Sequence, residues 1–231
     1  MTELTLPGDP PVAVKLRRSA RARRLSLRVS RLDGRVTLTL PRRVPEREAL
    51  AFLRERAGWL RAHVAEARPR IVPAVGGTLP FEGRTLEIRP GTGRTAWAED
   101  GALHVPGRPG QVPARLRAFL IGAARARLAA ASDLHAAALG RGYAGITLRD
   151  TRSRWGSCSA RGGLMYSWRL VMAPPAVLDY VAAHEVAHLA EMNHSPAFWA
   201  VVRQLCPGYE APRAWLRAEG PALHRFDFGS R

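Results

Sequence analysis

The sequence predicts an α+β protein in two parts: a basic, β-rich region with one helix at residues 1–110, and a mainly helical region at residues 111–231. Three observations carry this. Apolar residues alternate in short runs through the first third of the chain, the spacing of half-buried strands. From about Pro113 the period becomes that of a helix. Further on, His184-Glu185-Val186-Ala187-His188 sets two imidazoles one helical turn apart, with His194 following.

Val12, Val14 and Leu16 alternate with other residues, as do Leu25, Leu27 and Val29, and then Val36, Leu38 and Leu40. Asp33-Gly34, between the last two runs, is a strong hairpin signal. The arginine-rich stretch from Arg17 to Arg24 is expected as a loop at the sheet's edge. Pro45 opens a helix with Leu50, Leu53, Ala57, Leu60 and Val64 on one face, weakened at Gly58. Residues 69–110 are rich in proline and glycine and hold the short apolar pieces 79–81, 86–88 and 103–105. They read as a β-meander with loops, or as a linker with some strands. A long helix from Pro113 to Leu139 follows, with Leu116, Leu120, Ala124 and Leu128 along one side. No internal repeat is visible.

After the strand 146–148, Gly162-Gly163 reads as a hairpin turn into a strand from Leu164 to Met172. Pro174-Pro175 ends that strand and starts the histidine-bearing helix, with Val177, Leu178 and Val181 turned to the core. Phe198, Val201, Val202 and Leu205 form the core face of the next helix, which stops at Cys206-Pro207-Gly208. A last short helix near Pro212 to Ala218 carries Trp215.

Composition narrows the function. At 231 residues the chain can bury one good core or two modest ones. No run is long and apolar enough to span a membrane, and the N-terminus has no apolar signal core. Two cysteines, Cys158 and Cys206, make no disulfide framework, so a reduced, cytoplasmic protein is expected. The net charge of +17 is carried almost wholly by arginine, Lys15 being the only lysine. A GC-rich genome accounts for arginine over lysine but not for the positive excess. That excess points to nucleic acid or another anionic partner, through the segment Lys15–Arg43, where eleven basic residues face one acid, Asp33.

The histidine run carries the chemistry. Residues four apart lie about 40° from alignment on a helix, so His184 and His188 share a face and can converge on one ion at roughly 2.0–2.1 Å. Glu185, one step round, can reach a metal-bound water without being a ligand. Three protein ligands leave a fourth position open, which is the catalytic arrangement. On a continuing helix His194 would lie roughly 9 Å beyond His188, so the helix must break first. Asn193 tolerates the left-handed conformation that ends helices, and Ser195 before Pro196 can cap a new one. Glu191 and Glu210 stand as alternative third ligands. Three imidazoles favour zinc, one Zn2+ per chain. For the second donor to a developing oxyanion, Tyr166, Arg154 and Tyr209 are the candidates. The strand after Arg152, with Trp155 and Ser157, could line a cleft and pair with an extended peptide. A structural reading stands beside it and is favoured for Trp155: Trp155 in the core, Gly156 a bulge and Cys158 an inert buried thiol.

Together, Arg154-Trp155-Gly156-Ser157-Cys158-Ser159, Trp168-Arg169-Leu170, Ala173-Pro174-Pro175, Leu178-Asp179-Tyr180-Val181, and His184 to His194 with Ser195-Pro196 and Phe198-Trp199 resemble the YgjP-like metallopeptidase domain, a relative of the SprT-like zinc proteases. The resemblance covers about residues 12–220 and is loosest over 69–110. It implies a zincin-like α+β catalytic core, His184, His188 and His194 as zinc ligands, Glu185 as catalytic base, and a protein or peptide substrate. Two positions depart from the pattern: Glu191 stands where metzincins place a helix-ending glycine, and Val186 replaces the leucine usual in the relatives. From the residues alone, two further readings stay open: a zinc hydrolase of nucleotide phosphoanhydrides, and a nucleic-acid-binding module with a structural metal.

Overall fold

Alternation in the N-terminal unit, Met1–Arg70, becomes a four-stranded sheet. The protein is seen as a computed structural model that describes residues 3–30, 34–65 and 70–229. The strands are β1 (Glu3–Leu6), β2 (Val12–Ser19), β3 (Ser26–Val29) and β4 (Val36–Pro41), in the order β1-β2-β4-β3. Val12, Val14 and Leu16 point inward from β2, and Val36, Leu38 and Leu40 from β4. β2 and β4 run parallel, while β1–β2 and β3–β4 are antiparallel.

Several expectations change here. Arg17 and Arg18 belong to β2 rather than to a loop, and β1 is an additional edge strand. Asp33 lies outside the described residues. Gly34 has φ 66° and donates to the Ser30 carbonyl at 2.8 Å, and β3 and β4 pair as a hairpin would. The single helix is two, α1 (Glu46–Glu55) and α2 (Ala57–Ala65), broken at Arg56 rather than weakened at Gly58. Ala49, Leu53 and Leu60 complete a core with the sheet's inner face.

The second unit, Ile71–Arg231, holds the histidines. Its first sheet comprises β5 (Thr78–Phe81), β6 (Arg84–Pro90), β7 (Trp97–Glu99) and β8 (Ala102–Val105), in the order β5-β6-β8-β7. β6 and β8 are parallel and the outer pairs antiparallel, so this is not a meander. It repeats the strand order and directions of the N-terminal sheet, and a helix follows in both. The repeat is one of topology, which residue identities do not display. Two tight turns close its hairpins: Glu82 and Gly83 have φ 48° and 77°, Asp100 and Gly101 φ 46° and 74°. Positive φ at both central residues matches the right-handed twist of the strands they join.

This second four-stranded sheet shares a core with the long helix α3 (Val112–Leu139). Leu79, Leu86, Ile88 and Leu103 cluster with Leu116, Leu120, Ala124 and Leu128 of that helix. For this reason the contact boundary falls after Arg70, where the sequence expectation drew it at residue 110. Gly140, left-handed at φ 69°, ends α3. A three-stranded sheet of order β10-β11-β9 comes next: β9 (Gly145–Arg149), β10 (Gly156–Cys158) and β11 (Gly163–Ser167). β11 stops at Ser167 rather than Met172, and Trp168–Met172 form a 3-10 turn. That turn buries Arg169, which clasps Asp150 with bonds of 2.6 and 3.0 Å. Arg169 also donates to the carbonyls of Leu223 and Phe226, fastening the C-terminal segment to the sheet.

The helix α4 (Pro175–Ala187) is apolar on nearly every side and buried accordingly. Its start is fixed from below: a Cβ on Gly83 would lie 2.9 Å from the Pro174 Cα, and the Glu82 N–H donates to the Val171 carbonyl. Its flank is fixed by α3, where His135 Nε2 meets Asp179 Oδ1 at 2.9 Å. Then come α5 (Pro196–Leu205), α6 (Glu210–Ala218) and α7 (Gly220–Leu223). Among the described residues no helix is long and apolar enough to cross a membrane.

Candidate metal centre

Helix α4 ends early, and that brings the third histidine round. His188 is its C-cap, and the chain then tightens through Leu189 N–H to Val186 O and Ala190 N–H to Ala187 O. Asn193 is not left-handed: among the described non-glycine residues only Glu82 and Asp100 have positive φ. The break is therefore made by short-range turns directly after His188, which also dispenses with the glycine that Glu191 replaces. Ser195 caps α5 as expected, its hydroxyl accepting the Phe198 N–H at 3.3 Å.

The ligand-type nitrogens of His184, His188 and His194 all lie within 4.8 Å of one another. His184 Nε2 and His194 Nε2 are 3.1 Å apart. This is the only such group among the described residues, so neither Glu191 nor Glu210 joins it. His188 Nδ1 sits 3.0 Å from the Glu191 carbonyl. A carbonyl only accepts, so Nδ1 carries the proton and Nε2 presents its lone pair, as the backbone bonds of metal-ligating histidines arrange. Burial lowers the His184 pKa to about 3, helped by the neighbouring His188 and His194. Burial also lowers that of His188. Both rings are neutral at pH 7, the form a metal requires. The donor set fits a borderline cation such as zinc.

Phe198 forms the floor, with its ring centroid 4.4 Å from that of His188, 4.9 Å from His184 and 4.8 Å from His194. Trp199 stands 5.8 and 5.9 Å from His184 and His194. Their role follows from the cap: a helix restarting at Pro196 brings its third and fourth residues back toward the histidines.

Glu185 is only 5 % exposed. Burial pushes its carboxyl up to about 8, against the pull of the Arg154 charge and a hydrogen bond from the Cys158 backbone N–H. An open cleft of about 460 Å³ lies over it, with Ser153, Arg154, Gly156, Ser157 and Cys158 on one wall and His184, Glu185, His188, Met192 and His194 on the other.

Of the five candidate substrate contacts, Arg154 and Ser157 line this cleft. The other three do not. Tyr166 is fully buried, its hydroxyl 3.0 Å from the Ser132 hydroxyl in the core, so it offers no donor to a substrate. Tyr209 is buried in a stack with Trp199 and Tyr180. Trp155 packs against Gly220 and His224. Gly156 forms no bulge: β10 pairs with β11 in unbroken register. The Cys158 thiol is half-buried, its pKa raised first by burial and then by Glu185, so it stays protonated.

Residues 23–219 match the family model described as YgjP-like, metallopeptidase domain. Among solved structures the chain is similar to the metallopeptidase zymogen abylysin of Pyrococcus abyssi, with 21% identity over 40% of this chain and 92% of that one and a TM-score of 0.36. Comparison with curated proteins returned no match.

Proposed function

The chain belongs to the YgjP-like metallopeptidase domain family, and on that premise we propose that it is a zinc-dependent peptidase whose general base is Glu185. The observation that supports this best is the pairing of a three-histidine ligand group with a buried carboxylate one residue from its first member, opening on one cleft. His184, His188 and His194 would hold the ion through three nitrogens. A zinc ion there supplies a Lewis acid and brings the pKa of water down to about 7.

The chain's own groups do the rest. Glu185 takes a proton from the attacking water and returns it to the leaving amine. The Cys158 N–H and the Arg154 charge hold its carboxylate against the pull of burial toward the protonated form. A group titrating at about 8, close to neutrality, can both accept a proton and return it. Arg154, at the cleft, is the remaining donor candidate for the oxyanion, since Tyr166 and Tyr209 are turned into the core. Strand β10 is an edge of its sheet, and the backbone groups it turns away from β11, apart from the Cys158 N–H that Glu185 takes, can pair with an extended substrate backbone.

The deciding experiment compares zinc-loaded wild type with Glu185→Gln on unfolded protein and peptide libraries. Cleavage by wild type that falls by about 10³-fold in the variant supports the reading. Cleavage that survives intact sinks it. Nucleoside triphosphates assayed in parallel test the phosphoanhydride alternative.

We also propose that the N-terminal unit binds a polyanion, nucleic acid first. Lys15 and Arg17 of β2 and Arg28 of β3 are exposed, with Thr37 lying between Arg28 and Lys15 in the sheet register. Binding that weakens linearly on a log-log salt plot supports it. Binding indifferent to salt contradicts it.

A further inference from the structure

We propose that Gly156 is a positioning residue for Glu185: its missing side chain leaves the space that the Glu185 carboxylate fills, and strand β10 holds the base with backbone alone. The idea rests on reading Glu185 as the base.

A Cβ built on Gly156 would lie 2.4 Å from Glu185 Oε1, 2.6 Å from Cγ and 2.7 Å from Cδ. Carbon atoms do not approach that closely without something moving. Gly156 is not among the glycines with positive φ, so its backbone is one any residue can adopt. The glycine is there for room and not for conformation, as where backbone must approach another group closely.

The strand's hydrogen bonding explains why its backbone is available. The Trp155 carbonyl accepts the Ser167 N–H at 2.8 Å, and the Ser159 N–H donates to the Gly163 carbonyl at 2.9 Å. Backbone groups alternate sides along a strand, so Gly156 and Cys158 turn theirs away from β11. The Cys158 N–H thereby reaches the Glu185 carboxylate. One glycine and one amide, two residues apart on an edge strand, thus seat the side chain of a buried helix. A methyl group at position 156 pushes the carboxylate off that amide and into the cleft. It leaves His184, His188 and His194 alone, because they are held by α4 and the turns after it.

The test is a pair of variants read in two ways. In zinc-loaded Gly156→Ala, kcat should fall by about 10²-fold with KM changed less than about threefold and zinc content unaltered, since misplacing a catalytic group by an ångström has effects of that size. Unchanged kcat overturns the proposal. The second readout needs no activity: Gly156→Ala should lower the melting temperature by roughly 2–8 °C in the wild-type background. It should lower it by less than half as much in Glu185→Ala, where the crowded side chain is gone. Equal losses in both backgrounds overturn the proposal. If Gly156→Ala fails to fold while the double variant folds, the crowding is upheld. A non-additive thermal result with no peptide cleavage by wild type upholds the seat for Glu185 and refutes only the reading of Glu185 as base.

Discussion

The two walls of the cleft are built by opposite means. The helix wall, α4 and the turns after it, presents the side chains on which the proposed chemistry rests: three imidazoles and a carboxylate. The strand wall around β10 gives Glu185, the proposed base, an amide N–H and an absent side chain. A side chain on one wall can thus be placed by the backbone of the other.

Breaking the helix wall should have the largest effects. His184→Ala removes a ligand from the only three-histidine group among the described residues. It should abolish stoichiometric zinc binding and all peptidase activity, as elemental analysis and cleavage assays would show. Glu185→Gln should come next, sparing zinc while lowering kcat by about 10³-fold. Arg169→Ala leaves the chemistry alone but removes four hydrogen bonds beneath the sheet that bears β10. It should cost about 3 kcal/mol in denaturant unfolding, more than an exposed pair would, because the guanidinium is buried. Arg154→Ala should raise the Glu185 pKa and lower kcat by about 10²-fold, the size of a lost oxyanion donor. Tyr166→Phe should leave kcat unchanged and lower stability by about 1 kcal/mol through the lost bond to Ser132.

Acid and alkali separate two groups within the helix wall. His184 titrates below its unfolded value of 6.5, so the stability of its neutral form is present above that pH and is lost as the pH falls toward about 3. Glu185 is shifted the other way: its contribution is complete below its ordinary value near 4.5 and is lost as the pH rises through about 8. The melting temperature of the metal-free protein should therefore drop on both sides. His184→Asn should flatten the acid limb and Glu185→Gln the alkaline one.

The same contrast governs what the sequence reveals. The grouping of His184, His188 and His194 is legible because their identities and spacing are the message, and α3 because Leu116, Leu120, Ala124 and Leu128 repeat with the helix. Ser195 is legible as a cap because capping is local. The topological repeat of the two four-stranded sheets is not, because parallel pairing of β2 with β4 and of β6 with β8 depends on contacts far apart in sequence. Nor is the end of α4. Asn193 offers a left-handed stop, but the chain turns right after His188 through short-range bonds that no residue type announces. Tyr166 shows the converse error. A tyrosine near a catalytic motif reads as a donor, whereas its place on the inner side of β11 commits its hydroxyl to Ser132. Gly156 had a visible signal, a glycine within a strand, but nothing in the sequence says what approaches it.

Zinc content by elemental analysis, of the wild type beside His194→Ala and Glu185→Gln, decides whether the three histidines hold a metal. One zinc per chain in wild type and Glu185→Gln, with none retained in His194→Ala, is the predicted result. Zinc absent from repleted wild type, or retained fully by His194→Ala, would contradict the three-histidine site on which the proposed chemistry depends.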